Sequence, residues 1–227
     1  MNTHAAHYGF DYPEGTLWLR EEDLDFWAEH CTWCLRALGV EDGAMIGIED
    51  YGTSPLSYLS SSLFMPLGEG FADRLRGSAV CVDASHQRVA MTVGLVGLLP
   101  VDTLIVRSEV AAVVLDSARR EGVLLEQRVK RLVQTLDGLP PGGFDPRFGY
   151  LLVGEASLLI APYCRTCGGF HLRDGYYDVE GRSVHNRKHP GAPAWEAPTG
   201  AETAPGACRD RPHDIILRLP KIERGAQ

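Results

Sequence analysis

No stretch of this chain is apolar enough to cross a bilayer. The longest apolar window, residues 89–106, is broken by Thr92, Gly94, Gly97, Pro100 and Asp102. A basic cluster is missing as well: 22 Lys and Arg face 30 Asp and Glu, for a formal charge of −8. That balance argues against nucleic-acid and membrane partners, both of which call for a positive surface. The polar start, residues 1–7, lacks the plan of a secretory signal, so a cytoplasmic location is the expectation. No internal repeat is visible. The spacing yields neither a Ser-His-Asp nor a Cys-His catalytic pairing.

What is present is an ordinary globular composition, 44% hydrophobic and 23% charged over 227 residues. Such a chain holds one large domain, or one domain with a small appendage, around a real core. Residues 16–19 read as a strand. Residues 20–39 read as an amphipathic helix, with Leu24, Trp27, Ala28, Cys31, Cys34, Leu35 and Leu38 at helical spacing and acids in the first turn. Strands are expected at 45–48, 78–83 and 102–107. Helices are expected at 56–64, 68–76, 85–99, 109–121 and 126–136, with Ser54 as an N-cap and Pro55 at the first helical position. This alternation predicts an α/β fold with a doubly wound, mainly parallel sheet over residues 16–140. A break at 139–143 separates it from a smaller β-rich C-terminal lobe over 148–220. That lobe would contain a long loop or partly disordered excursion, 182–207, and a closing strand at 213–219.

Six cysteines without a signal peptide indicate metal binding or burial rather than disulfides. Cys31 and Cys34 fall on the apolar stripe of the first helix, and Cys81 in mid-strand, so these three read as small hydrophobes. Cys164-Arg-Thr-Cys167 differs, because it lies on a Gly-bearing turn that can aim both sulfurs at one tetrahedral ion. Cys208 and His213 are the expected third and fourth ligands of a zinc ion, with His171, His185 and His189 as competitors for the fourth place. For His171 the simpler expectation is a strand histidine satisfied by a neighbouring carbonyl. At the carboxyl end of the 45–48 strand, Asp50, Tyr51, Thr53 and Ser54 occupy the usual ligand position of doubly wound sheets. Glu155 joins them as a candidate binding residue, and Glu155 with Asp174 is a possible carboxylate pair.

With these residues in place the chain resembles the phenylacetate–CoA ligase-like branch of the adenylate-forming enzymes. The resemblance runs through Leu38-Gly-Val40, Asp42-Gly43, Asp50-Tyr-Gly-Thr-Ser-Pro55, Val80-Cys-Val-Asp83 and Leu99-Pro-Val-Asp-Thr-Leu-Ile-Val106. It continues with Gly154-Glu155, Cys164, Gly169-Phe-His171 and the segment from Asp174 to Glu180. It implies a scaffold that makes an acyl- or aryl-adenylate from a carboxylic acid and ATP and passes the acyl group to CoA. The family holds the triphosphate with a Ser/Thr/Gly-rich loop ending in Pro-Lys. Here Gly52-Thr-Ser-Pro-Leu-Ser-Tyr-Leu-Ser-Ser-Ser62 has the residue types in another pattern, and no lysine precedes Lys130. The ribose-binding Asp has no match near residues 215–218, and the chain stops at Gln227 without a counterpart of the mobile C-terminal domain. Each lost electrostatic stabiliser costs roughly 10²–10³ in rate. The expectation is therefore a non-catalytic or partner-dependent ligase-like protein that binds an acyl or aryl small molecule, or serves as a structural subunit. Its partner would be another protein or a second copy, and neither ATP nor CoA is expected to bind tightly. The alternative is a minimal acyl-activating or acyl-transfer enzyme using groups such as Glu155 and His171.

Overall fold

A parallel strand buries both faces, so its side chains must alternate between two covering layers. The computed structural model describes residues 7–12, 15–50, 54–62, 68–82, 89–138, 140, 143–206 and 208–220. A hairpin of β1 (His7–Tyr12) and β2 (Gly15–Arg20) leads into α1 (Glu21–Ala37). Then come β3 (Met45–Glu49), α2 (Pro55–Tyr58), α3 (Phe71–Arg74), β4 (Ser78–Val82), α4 (Val89–Leu98) and β5 (Thr103–Arg107). Next are α5 (Ser108–Arg120), α6 (Leu125–Arg128), β6 (Arg131–Leu136) and β7 (Phe148–Gly154). The remainder is β: β8 (Leu159–Cys164), β9 (Gly169–Leu172), β10 (Tyr177–Glu180), β11 (Ser183–Asn186), β12 (Trp195–Glu196), β13 (Glu202–Pro205) and β14 (Ile215–Arg218).

Nine of these strands form one sheet in the order β13-β14-β9-β8-β7-β6-β5-β3-β4. Strands β4, β3, β5, β6 and β7 pair in parallel, and the other four continue the sheet antiparallel. The fold is α/β as expected, with a separate small antiparallel sheet made of β10, β11 and β12. Among the parallel strands the chain steps outward from β3 to β4, then returns past β3 to β5. The crevice at the carboxyl ends of β3 and β5 is thus a topological switch point, where such sheets take ligands.

Alternation supplies two cores. Leu104, Val106, Leu132 and Leu152 face α4 and α5 on one side. Ile46, Ile48, Ile105, Val133, Leu151 and Val153 face α1, α2 and α3 on the other. Helix α1 starts where the Asp23 carboxylate accepts the Arg20 N–H at 2.8 Å. It ends as Gly39 turns to φ 83. In α2, Ser54 accepts from the Ser57 N–H at 3.3 Å and Pro55 occupies the first position, as the sequence predicts. Among the described residues no helix is long and apolar enough to cross a membrane.

Two expectations fail. Residues 131–136 are strand β6, not the end of a helix. The segment from 126 has strong helix formers, but parallel pairing with β5 and β7 buries Leu132, Val133, Thr135 and Leu136 between both layers, and tertiary packing overrides propensity. Residues 182–207 are not a bare excursion, because they carry β11, β12 and β13. The helices expected at 56–64 and 68–76 are single turns, and the parts at 63–67 and 83–88 lie outside the described residues. Strands β6 and β7 pair in register across the expected break at 139–143.

One close approach makes a sharp prediction. A Cβ on Gly77 would stand 2.1 Å from the Ala44 carbonyl oxygen, so the backbone itself must move. Gly77→Ala is expected to cost about 3 kcal/mol of stability by pushing β4 off β3, measured by denaturant unfolding. A cost below about 0.5 kcal/mol would contradict the tight β3–β4 entry.

Candidate functional site

At the switch point lies a cavity of about 560 Å³. Asp50, buried at the end of β3, accepts from the Ser54 hydroxyl at 2.6 Å and from the Arg107 guanidinium at 3.0 Å. Arg107, at the end of β5, also donates to Glu155 after β7 at 3.1 Å and to Glu109 at 3.2 Å. Burial opposes the charge on Arg107, yet Glu109 and Asp50 hold it protonated more firmly than usual. Three of the candidate binding residues, Asp50, Ser54 and Glu155, are therefore brought together around Arg107. Tyr51 and Thr53 lie outside the described residues. Asp174 does not join Glu155; its backbone N–H donates to Asp214 at 3.2 Å.

The lip of this cleft comes from the segment expected to be loop. Pro193, Ala194, Trp195 and Glu196 line it, and a Cβ on Gly154 would meet Trp195 at 2.8 Å. Gly154 thus lets the indole close on the β7 backbone. Sequence reasoning missed Arg107 and Trp195. The one available signal for Arg107 was its place at the carboxyl end of a buried strand. Among the described lining residues Arg107 is the only cation, against Asp50, Glu109, Asp137, Glu155 and Glu196. The wall is acidic.

A second constellation forms where β8 turns into β9. Cys164 ends β8, Cys167 sits in the turn, His171 lies on β9, and Cys208 comes from the loop before β14. Their ligand atoms lie within 4.8 Å of one another. Cys164 Sγ and Cys208 Sγ are 3.9 Å apart, and Cys167 Sγ is 3.3 Å from His171 Nε2. Two thiolates on one tetrahedral zinc ion stand about 3.7 Å apart, close to the Cys164–Cys208 spacing. Gly168, at φ 68, closes the turn as its N–H donates to the Cys164 carbonyl at 2.9 Å. Gly169 leaves room for β14, since its Cβ would meet Ile216 at 2.5 Å.

His171 is buried, and its Nδ1 lies 3.0 Å from Asp214 Oδ2, which leaves Nε2 aimed at the thiols. This carboxylate–histidine arrangement fixes the ring of a metal-binding imidazole. The expected carbonyl partner of His171 is a carboxylate instead. His213 is exposed and stands outside the cluster. The fourth position beside Cys164, Cys167 and Cys208 thus goes to His171 and not to His213. Strand pairing explains the exchange, because β9 sets His171 opposite Ile216 of β14. His185 and His189 are placed elsewhere, with His189 Nδ1 3.4 Å from Asp23. Burial opposes ionisation of Cys164, but hydrogen bonds from the Cys167 backbone and the His171 side chain bring its thiol to about 7. Burial and the adjacent Cys164 push Cys167 up to about 12.

The other thiols behave as hydrophobes. Burial pushes Cys31, Cys34 and Cys81 upward. His30 is buried on α1 with Nε2 2.7 Å from the Ile160 carbonyl, and burial lowers it to about 4, so it is neutral and ties α1 to β8.

No family model and no curated protein matches this chain. Solved structures do. An open conformation of 2-hydroxyisobutyryl-CoA ligase, in complex with 2-HIB-AMP and CoA, superposes with a TM-score of 0.67 at 12% identity. That match covers 95% of this chain and 52% of the ligase. The same ligase in its postadenylation state with R3-HIB-AMP gives 0.64 at 13% identity, over 95% and 50% of the two chains. At such identity the likeness is one of fold. The chain has the fold of adenylate-forming CoA ligases and spans about half their length. The likeness does not single out the phenylacetate–CoA branch.

Proposed function

We propose that this chain is a ligase-like binding subunit that holds an acyl or aryl small molecule in the switch-point cleft and does not adenylate it unaided. The observation that carries this reading is the charge of the cleft. Its only described cation, Arg107, is already engaged by Asp50, Glu109 and Glu155, and two further carboxylates line the wall. A triphosphate there would meet like charge with no free cation among the described lining residues to offset it, at a cost of several kcal/mol in a partly desolvated site. An uncharged or amine-bearing acyl or aryl group suits the same wall, with Trp195, Leu56 and Val153 as apolar contacts. The alternative of an acyl-transfer enzyme using Glu155 and His171 together gains no support, because the two residues line different cavities.

In this reading Cys164, Cys167, Cys208 and His171 hold a zinc ion that staples the β8–β9 turn to the loop before β14. Four protein donors leave no open position, so the ion's role would be structural. Met91 and Leu98 on α4, with Leu99 beyond it, are exposed large apolar side chains and support a protein partner or a second copy at that surface. The test is incubation of the purified chain with ATP and a panel of aliphatic and aromatic acids. No AMP above the buffer blank is expected, and AMP formed in proportion to protein would overturn the proposal.

A further inference from the structure

The whole-chain charge hides a local reversal. Beside the thiol cluster, at the amino ends of β6 and β7, lies a second cavity of about 530 Å³. Lys130, Arg131, Arg147, Arg165 and Arg211 line it, against Asp210 as the single carboxylate among the described lining residues. Three of these cations have partners: Lys130 with Asp102 at 2.7 Å, Arg131 with Glu41 at 3.9 Å, and Arg147 with Asp145 at 2.6 Å. None of those three acids lines the cavity, so the wall itself presents the cations.

Arg165 and Arg211 differ from the rest. Neither forms an ion pair with a described carboxylate, yet both are held in place. The Arg165 guanidinium donates to the Phe148 carbonyl at 2.8 Å and to the Pro146 carbonyl. The Arg211 guanidinium lies 4.4 Å from the centre of the Trp33 ring. Carbonyl oxygens and an indole face orient a guanidinium without cancelling its charge. Two oriented forks on one cavity, neither in an ion pair with a described carboxylate, are an anion site already organised before its ligand arrives.

We infer that this cavity binds a small phosphate-bearing molecule through Arg165 and Arg211. Planar guanidinium forks pair bidentately with carboxylate and phosphate alike. What favours phosphate over a lone carboxylate is the number of cations on one cavity, which matches a charge spread over more than one group. The volume lies within the range of small-ligand sites. The proposal does not rest on the acidic switch-point cleft, which is lined by other residues.

Inorganic pyrophosphate is the first probe, titrated at low salt while tryptophan fluorescence is followed, since Trp33 lies under Arg211. Saturable binding is expected, weakened about tenfold by Arg165→Gln or Arg211→Gln and abolished in the double variant. ADP in a second arm distinguishes the source. Binding at least tenfold tighter than pyrophosphate identifies a nucleotide, and equal binding identifies the phosphate groups alone; both uphold the site. Citrate bound as tightly as pyrophosphate would overturn the phosphate assignment. A single-stranded oligonucleotide bound more tightly than either probe would overturn the small-molecule class. The two arginines sit on the loops that carry Cys164, Cys167 and Cys208, so zinc content and thermal melting are measured on every variant. Unchanged pyrophosphate affinity in the folded double variant sinks the proposal. So does a loss caused instead by Glu155→Gln in the other cleft.

Discussion

On the proposed zinc assignment, Cys164→Ser and Cys167→Ser are each expected to release one equivalent of zinc and to lower the unfolding free energy by on the order of 4 kcal/mol. Loss of a structural metal is among the few single changes that reach such a size. The reason is linkage: the four donors come together only in the folded chain, so binding energy is folding energy. Cys164 and His171 belong to β8 and β9, while Cys208 comes from the loop before β14, more than forty residues on as the 3.9 Å Cys164–Cys208 contact shows. Without the ion, that loop keeps its own turn, the Asp214 contacts and the Arg211 stack on Trp33. His171→Ala should behave like the cysteine variants, whereas His213→Ala, at an exposed position outside the cluster, should keep the metal. Asp214→Asn is expected to weaken zinc binding about 10–100-fold while leaving the donor set intact, because it removes the charged partner that orients the His171 imidazole. Elemental analysis with thermal melting checks all five variants. One equivalent of zinc surviving in both cysteine variants would refute the assignment.

Glu49→Gln is expected to stabilise the protein at pH 8 by on the order of 3 kcal/mol and to flatten its pH dependence. Glu49 ends β3 fully buried, and neither carboxylate oxygen has a hydrogen-bond partner among the described residues. Burial pushes its pKa from 4.5 up to about 7, against the weaker pull of the nearby Thr92 hydroxyl. The folded state therefore binds the proton more tightly than the unfolded chain does. Between pH 4.5 and about 7 the unfolded carboxylate is ionised while the folded one is still protonated, so stability falls as pH rises through that window. At about 1.4 kcal/mol per pH unit the loss reaches the stated size and levels off above the folded value. A neutral amide of nearly the same shape escapes it. Denaturant unfolding of both proteins at pH 5 and pH 8 decides the matter, and a difference between them that does not change with pH would rule the explanation out.

Much of the fold was legible because local signals and packing agreed. The acids of Glu21, Glu22 and Asp23, the apolar stripe from Leu24 to Leu35 and the turn at Gly39 all specify α1, and each appears in place. The strands at β3, β4 and β5 are short apolar runs with turn residues beyond them, and they could be little else. Residues 126–136 misled because Glu, Gln, Lys, Arg and Leu favour helices in isolation, whereas β6 exists only through its neighbours on both sides. Residues 182–207 misled because β12 and β13 are short, Pro- and Gly-flanked, and defined by partners far along the chain.

The candidate sites divide in the same way. Chemistry confined to one turn, such as the paired thiols of Cys164 and Cys167, is written in their spacing. The sequence by itself determined the α/β class, the first helix, the thiol pair and the acid at the end of β3. Only the tertiary structure decided that His171 joins the thiols, that Arg107 bridges Asp50 and Glu155, and that five scattered cations meet in one cavity of an acidic chain. The physical reason is that spacing fixes neighbours within a turn, while strand order and register fix neighbours between segments, and those depend on how the whole sheet packs.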